Sequence, residues 1–213
     1  MTKSVYVLGA GGHGRVVLDT LLTSGVKVIG LLDPNITVGD YVFGVPILGS
    51  DAFLDDITVS DVLLVNGLGV NSNTNSRKRI FEVMKMKGFA FSSIQHTSAV
   101  IGRDCTLGDG SQIMAGVVLQ NRVRIGLNTV VNTHASIDHD CVISAHAFIS
   151  PSVVLCGNVR VSESAFIGAG AVVLPGIQIA TNTVVGAGAV VTKDVPERWV
   201  VSGNPAIKIG EKR

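Results

Sequence analysis

Two stretches of this chain combine residue types and spacings that can do chemistry. The first is Gly9-Ala10-Gly11-Gly12-His13-Gly14, which meets the pattern G-x-G-x-x-G at Gly9, Gly11 and Gly14. The apolar run Val5–Leu8 precedes it and residues with helical apolar spacing, Arg15 to Leu22, follow it. Strand, glycine turn and helix form the context that pattern requires: bare backbone lets a phosphate approach, and the free N–H groups of a helix N-terminus favour its charge. Asp33 ends the next apolar run, Val28–Leu32, nineteen residues past Gly14. It is placed to accept hydrogen bonds from a sugar hydroxyl or a base N–H. His13, inside the turn, fits ligand contact and a structural role equally. The second stretch is Asp138-His139-Asp140-Cys141. A carboxylate beside an imidazole raises its basicity and fixes its tautomer, which suits His139 to general-base work, steadied by Asp140. His134 is a second, weaker candidate, His146 weaker still, and His96 reads as a cap. No metal site is expected: the three later histidines are five and seven residues apart, and no cysteine pair has zinc spacing.

What holds His139 is a period of six. Every sixth residue from Ile101 to Val191 is aliphatic, sixteen positions without exception, and the position four further on is small or β-branched. Neither the helical period nor simple strand alternation produces that double register, whereas hexapeptide coils do. Three hexapeptides close one triangular coil, so residues 101–196 make five and a third coils. Residues eighteen apart then lie in columns, rigid enough to hold reacting groups. Cys105 and Cys141 fall in the small-residue column and are expected to pack. Upstream, the run Val62–Val65, a loop Asn66-Gly67-Leu68-Gly69, a helix after the asparagine-rich residues 71–75 and a closing strand near Phe91 complete an α/β module. The basic trio Arg77, Lys78 and Arg79 reads as a solvated helix face. The expected division is an α/β nucleotide-binding domain at 1–94 and a β-helix at 95–213.

Composition narrows the function classes. The formal net charge is +1 with no basic run, so an electrostatic case for nucleic acid is absent. Hydrophobic residues are 46% of the chain, yet no apolar run approaches the ~20 residues of a membrane span. Three cysteines and no signal-like start point to a reducing cytoplasm.

Together, the Gly-His-Gly turn, Leu32-Asp33, Asn132-Thr133-His134, Asp138-His139-Asp140-Cys141 and Gly203-Asn204-Pro205-Ala206 resemble the bacterial sugar O-/N-acyltransferases, the bacillosamine, sialic acid and perosamine acetyltransferase group. The resemblance spans essentially the whole chain. It implies a Rossmann-like nucleotide-sugar domain followed by a left-handed parallel β-helix, a homotrimer, and acetyl-CoA as co-substrate lying along the coils between subunits. It further implies that Gly11, Gly12 and His13 form the nucleotide-sugar turn, that Asp33 contacts the base, and that Gly69 serves the loop after the third strand. His139 takes the place of the general base, with Asp140 where Glu is frequent. Gly157, Ala169 and Ala187 line the acetyl-CoA groove, where Phe148 replaces a frequent histidine; Pro34 replaces a second Asp after Asp33. The implied activity is acetyl transfer to the 4-amino group of a UDP-linked amino sugar. The alternatives are O-acetylation of sialic acid or a related sugar, an NAD-binding oxidoreductase, and a non-catalytic scaffold.

Overall fold

The computed structural model describes residues 3–70 and 75–212; the asparagine-rich residues 71–74 lie outside them. The N-terminal module runs β1 (Ser4–Leu8), α1 (Gly12–Thr23), β2 (Val28–Leu32), a hairpin β3 (Tyr41–Val42) and β4 (Val45–Pro46), β5 (Val62–Asn66), α2 (Asn75–Met86) and β6 (Ala90–Phe91). Its parallel sheet has the order β2-β1-β5-β6. Successive strands depart from β1 to opposite sides, which opens a crevice beyond its C-terminal end, where the glycine turn lies. The helix starts at Gly12 rather than at Arg15, so Gly14 is helical. A Cβ on Gly14 would fall 2.2 Å from the Gly9 carbonyl oxygen, and one on Gly67 would fall 2.7 Å from the same atom. Three backbones meet there, and only glycine permits it.

From Ile94 the chain winds into a β-solenoid, one strand earlier than the aliphatic series begins. Each strand is two residues long and pairs in parallel with the strand eighteen residues on, as in Ser136↔Val154 and Val142↔Arg160. The inward aliphatics and small residues, among them Leu119, Ile137, Leu155, Val173 and Cys141, form one continuous core. The prism has three sides. The first, carrying Gln112, Val130, Phe148 and Phe166 on its outer surface, packs against the N-terminal module through Val7, Val17 and Val65. The second is apolar and open, with Val100 and Val154 exposed. The third is polar, with Arg124 and Arg160 facing outward. An antiparallel hairpin, Trp199–Ser202 and Ile207–Glu211, closes the last coil.

The basic trio does not form a solvated face. Arg77 is buried, Lys78 pairs with Glu163 on the solenoid, and Arg79 alone remains exposed. One face of the helix turns inward: Lys78 ties it to the solenoid, while the Arg77 guanidinium bonds the Asn66 and Leu68 carbonyls of its own module.

Ile137 is fully buried at the centre of the solenoid core. Ile137→Ala should lower unfolding free energy by about 2–5 kcal/mol, and Val154→Ala on the open side by much less. Chemical denaturation of the two variants checks the difference.

Candidate active site

His139 occupies the corner between the apolar and polar sides, in the turn linking Ser136–Ile137 to Val142–Ile143. Its Nδ1 lies 2.8 Å from Asp140 Oδ2, and the other carboxylate oxygen lies 2.7 Å from Arg122 Nη2. Arg122 is eighteen residues before Asp140, one coil away in the same column. The hydrogen bond from His139 and then that from Arg122 hold the Asp140 carboxyl below the usual carboxylate range. With Nδ1–H donated to Asp140, Nε2 carries a lone pair. A Cβ on Gly157, one coil further on, would stand 2.7 Å from that Nε2. The glycine therefore leaves that nitrogen uncovered, and the Gly157 amide N–H has no partner among the described residues. Asp138 does not touch the imidazole; its Oδ1 accepts the His139 backbone N–H at 2.7 Å. Only one of the two flanking carboxylates therefore orients the ring.

The other groups lie elsewhere. His134, Ala169 and Ala187 are exposed on the corner between the docked and apolar sides. His146 is buried on the third corner, edge-on to Phe81 and 2.9 Å from Asn128 Nδ2, and burial lowers its pKa. Phe148 is 5% exposed, stacked on Phe166 and edge-on to His13. It lies in the seam between the domains and offers little open surface to a ligand.

In the N-terminal module, a cleft of about 470 Å³ is lined by Gly9, Asp33, Asn35, Asp51, Leu68 and Arg79 among others. Asp33 accepts the Ala10 N–H at 2.9 Å and the Asn35 N–H at 2.9 Å, so it braces the glycine turn while facing the cleft. Cβ atoms on Gly11 and Gly12 would meet nothing within 4 Å, which leaves bare backbone at the start of α1. Gly69 closes on His13: a Cβ there would lie 3.0 Å from the His13 Cβ. His13 Nε2 reaches 2.9 Å to Gln112 Oε1 on the solenoid. Burial, reinforced by Arg77, lowers the His13 pKa to about 4.

Residues 4–84 match the PglD N-terminal domain family. Residues 98–133 match the hexapeptide repeat of succinyl-transferase, and 158–193 the bacterial transferase hexapeptide, six repeats. PerB from Caulobacter crescentus, solved in complex with CoA and GDP-perosamine, is 34% identical, aligns over 99% of each chain and superposes with a TM-score of 0.89. This chain belongs to the hexapeptide-repeat sugar acyltransferase family. The acetyltransferase domain of PglB from Neisseria gonorrhoeae, in complex with acetyl coenzyme A, is 32% identical over 98% of this chain and 100% of that one, with a TM-score of 0.91. WeeI from Acinetobacter baumannii is 26% identical over 98% and 100% of the two chains, with a TM-score of 0.88. Among the described residues, no group of three or more His, Cys, Asp or Glu side chains is arranged to hold a metal, and no helix is long and apolar enough to cross a membrane.

Sequence reasoning missed Arg122, although its place eighteen residues before Asp140 was available. It also missed Gln112, because nothing in a hexapeptide marks which outward side another domain will cover, and Asn66, which reads as a loop residue although it ends β5.

The buried His13 makes stability depend on pH. The unfolded chain takes up this proton near pH 6.5 and the folded chain only near about 4. The unfolded state thus binds more protons in that window, and stability falls as pH drops through it, by up to about 3 kcal/mol. His146 acts in the same direction. Denaturation of wild type and His13→Gln between pH 7 and 4.5 should show a shallower acid decline in the variant.

Proposed function

We propose that this protein transfers the acetyl group of acetyl-CoA to the 4-amino group of a nucleotide-activated amino sugar. The observation that carries the reading is His139, oriented by Asp140 and Arg122 and left open at Nε2 by Gly157. The acceptor nitrogen attacks the thioester carbonyl as Nε2 takes its proton. The tetrahedral oxyanion is met by a backbone N–H, with Gly157 the nearest candidate. Collapse expels the CoA thiolate, which receives the proton back from the imidazolium. The ligands of PerB and of the PglB domain support both substrate classes. The cleft beside Gly9 and Asp33 would take the nucleoside, and the bare amides of Gly11 and Gly12 its diphosphate. UDP is the carrier proposed here; the GDP of the PerB ligand is its rival, and a substrate panel separates them.

The prism geometry also supports a site shared between copies in a homotrimer. The N-terminal module covers one side, and His139 stands on the opposite corner, so a sugar held in one module is remote from that protomer's own His139. His134, Ala169 and Ala187 would face the neighbour's His139 corner across the open apolar side. Their smooth alanine column suits an extended acetyl-CoA chain. Holding both substrates in one groove would supply much of the rate through effective concentration.

Thiol release from acetyl-CoA, measured with UDP- and GDP-linked 4-amino sugars and their hydroxyl analogues, tests the reaction. His139→Ala should reduce turnover with the preferred amine by about 10²–10⁴-fold, with a residual rate that rises with pH. Melting temperature should stay near wild type, since the side chain lies outside the core. A stable variant with near-wild-type turnover would remove His139 as the base.

A further inference from the structure

Asn66 ends β5 beside Leu8, the residue before the glycine turn, and is fully buried. It is the hub of a hydrogen-bonded chain that crosses between the domains. Its carbonyl accepts from Arg77 Nη1 at 2.7 Å and from Gln112 Nε2 at 2.6 Å. Its carboxamide nitrogen donates to the Arg77 carbonyl at 3.0 Å and to Asn128 Oδ1 at 3.1 Å, and its Oδ1 accepts the Leu68 N–H at 3.2 Å. Gln112 extends the chain to His13, and Asn128 extends it to His146. Arg77 Nη1 donates a second time, to the Leu68 carbonyl at 2.8 Å. Burial holds its pKa down to about 9, so the guanidinium remains charged at neutral pH.

An apolar seam would tolerate sliding, whereas a buried polar network is stable only in the arrangement that satisfies its directions. Here the network ends on the residues that flank the bare Gly11–Gly12 backbone. Leu68 lines the nucleotide cleft, and both its N–H and its carbonyl are tied to the hub. His13 is gripped by Gln112 on one side and covered by Gly69 on the other. Gln112 therefore joins solenoid to cleft with two hydrogen bonds and lines no part of the cleft itself.

We infer that Gln112 is a positioning residue for the nucleotide-sugar acceptor: from the solenoid it sets the glycine turn through His13 and the cleft loop through Asn66. This rests on the proposed acceptor. His13 is then a strut of the binding turn, and the resemblance-based assignment of its side chain to ligand contact gives way to an indirect role.

Gln112→Met keeps the volume and loses both hydrogen bonds. It should raise the acceptor KM by about five- to twentyfold, the size of one or two hydrogen bonds in binding. The acetyl-CoA KM and kcat should stay within about twofold, because the Gln112 side chain bonds to His13 and Asn66 and to neither the His139 column nor that of His134, Ala169 and Ala187. Gln112→Glu keeps the acceptor facing His13 and loses the donor facing Asn66, so it should recover part of the loss, and it is the variant read if the methionine form does not fold. A lowered melting temperature with an unchanged acceptor KM would overturn the inference, as would an equal rise in both Michaelis constants. Wild-type protein that turns over no nucleotide-linked amino sugar would instead overturn the acceptor reading, seen before any variant is made, and this inference would fall with it.

Discussion

The structure depends on one constraint: each solenoid coil is hydrogen-bonded to the next with residues eighteen apart in register. The bonds continue through the corners, as in Asp140 N–H to the Asn121 carbonyl and Asn158 N–H to the His139 carbonyl. Corner residues are thereby stacked as firmly as strand residues. Asp140 itself sits in the left-handed region, at φ 62°, as do Arg122 and Asn158 in the same column. That conformation is one Asp and Asn adopt more readily than most residues. The carboxylate that orients His139 is thus part of the turn that builds the corner. A loop could carry the same three side chains but would not keep Gly157 over the imidazole.

Much of this was legible in the sequence because the period of six is a direct imprint of the core. The aliphatic column from Ile101 had to point inward, and the small column had to fit the corners. The columns also follow from arithmetic, so the neighbourhood of His139 and Gly157 could be read before any coordinates. The glycine turn was equally legible, because Gly9, Gly14 and Gly67 are required by backbones in near contact. Other features were not legible. Exposure is decided by what covers a surface, and a hexapeptide does not encode which of three sides the first domain will cover. Gln112, Phe148, Arg77 and His146 all became seam residues for that reason. Asp138 flanks His139 just as Asp140 does, but adjacency in sequence says nothing of direction, and its carboxylate turns to the backbone.

The seam joins the N-terminal module to the solenoid through both apolar and polar contacts. Val7, Val17 and Val65 from the sheet share a cluster with Met114, Val130 and Phe148 from the coils. Apolar contact supplies area, while the Asn66 hub supplies direction. Lys78 with Glu163, at the next corner, ties the same, Arg77-bearing end of α2 to the coils and is exposed enough to add little stability by itself. The result is a cleft beside the glycine turn at a fixed orientation to the prism, with the His139 corner turned away from it.

Under the proposed function, that opposition between the cleft and the His139 corner requires the sugar held by one copy to meet His139 of another. Co-expression of two disabled forms tests it directly. Gly11→Val puts a side chain in the proposed nucleotide turn, and His139→Ala removes the proposed base, so each form alone should be nearly inactive. In randomly mixed copies of the proposed trimer, about a quarter of the sites pair an intact turn with an intact His139 from different copies. The account predicts activity near that fraction of wild type in the mixture. Mixed trimers with no more activity than either form alone would contradict it, and would place the whole reaction within a single protomer.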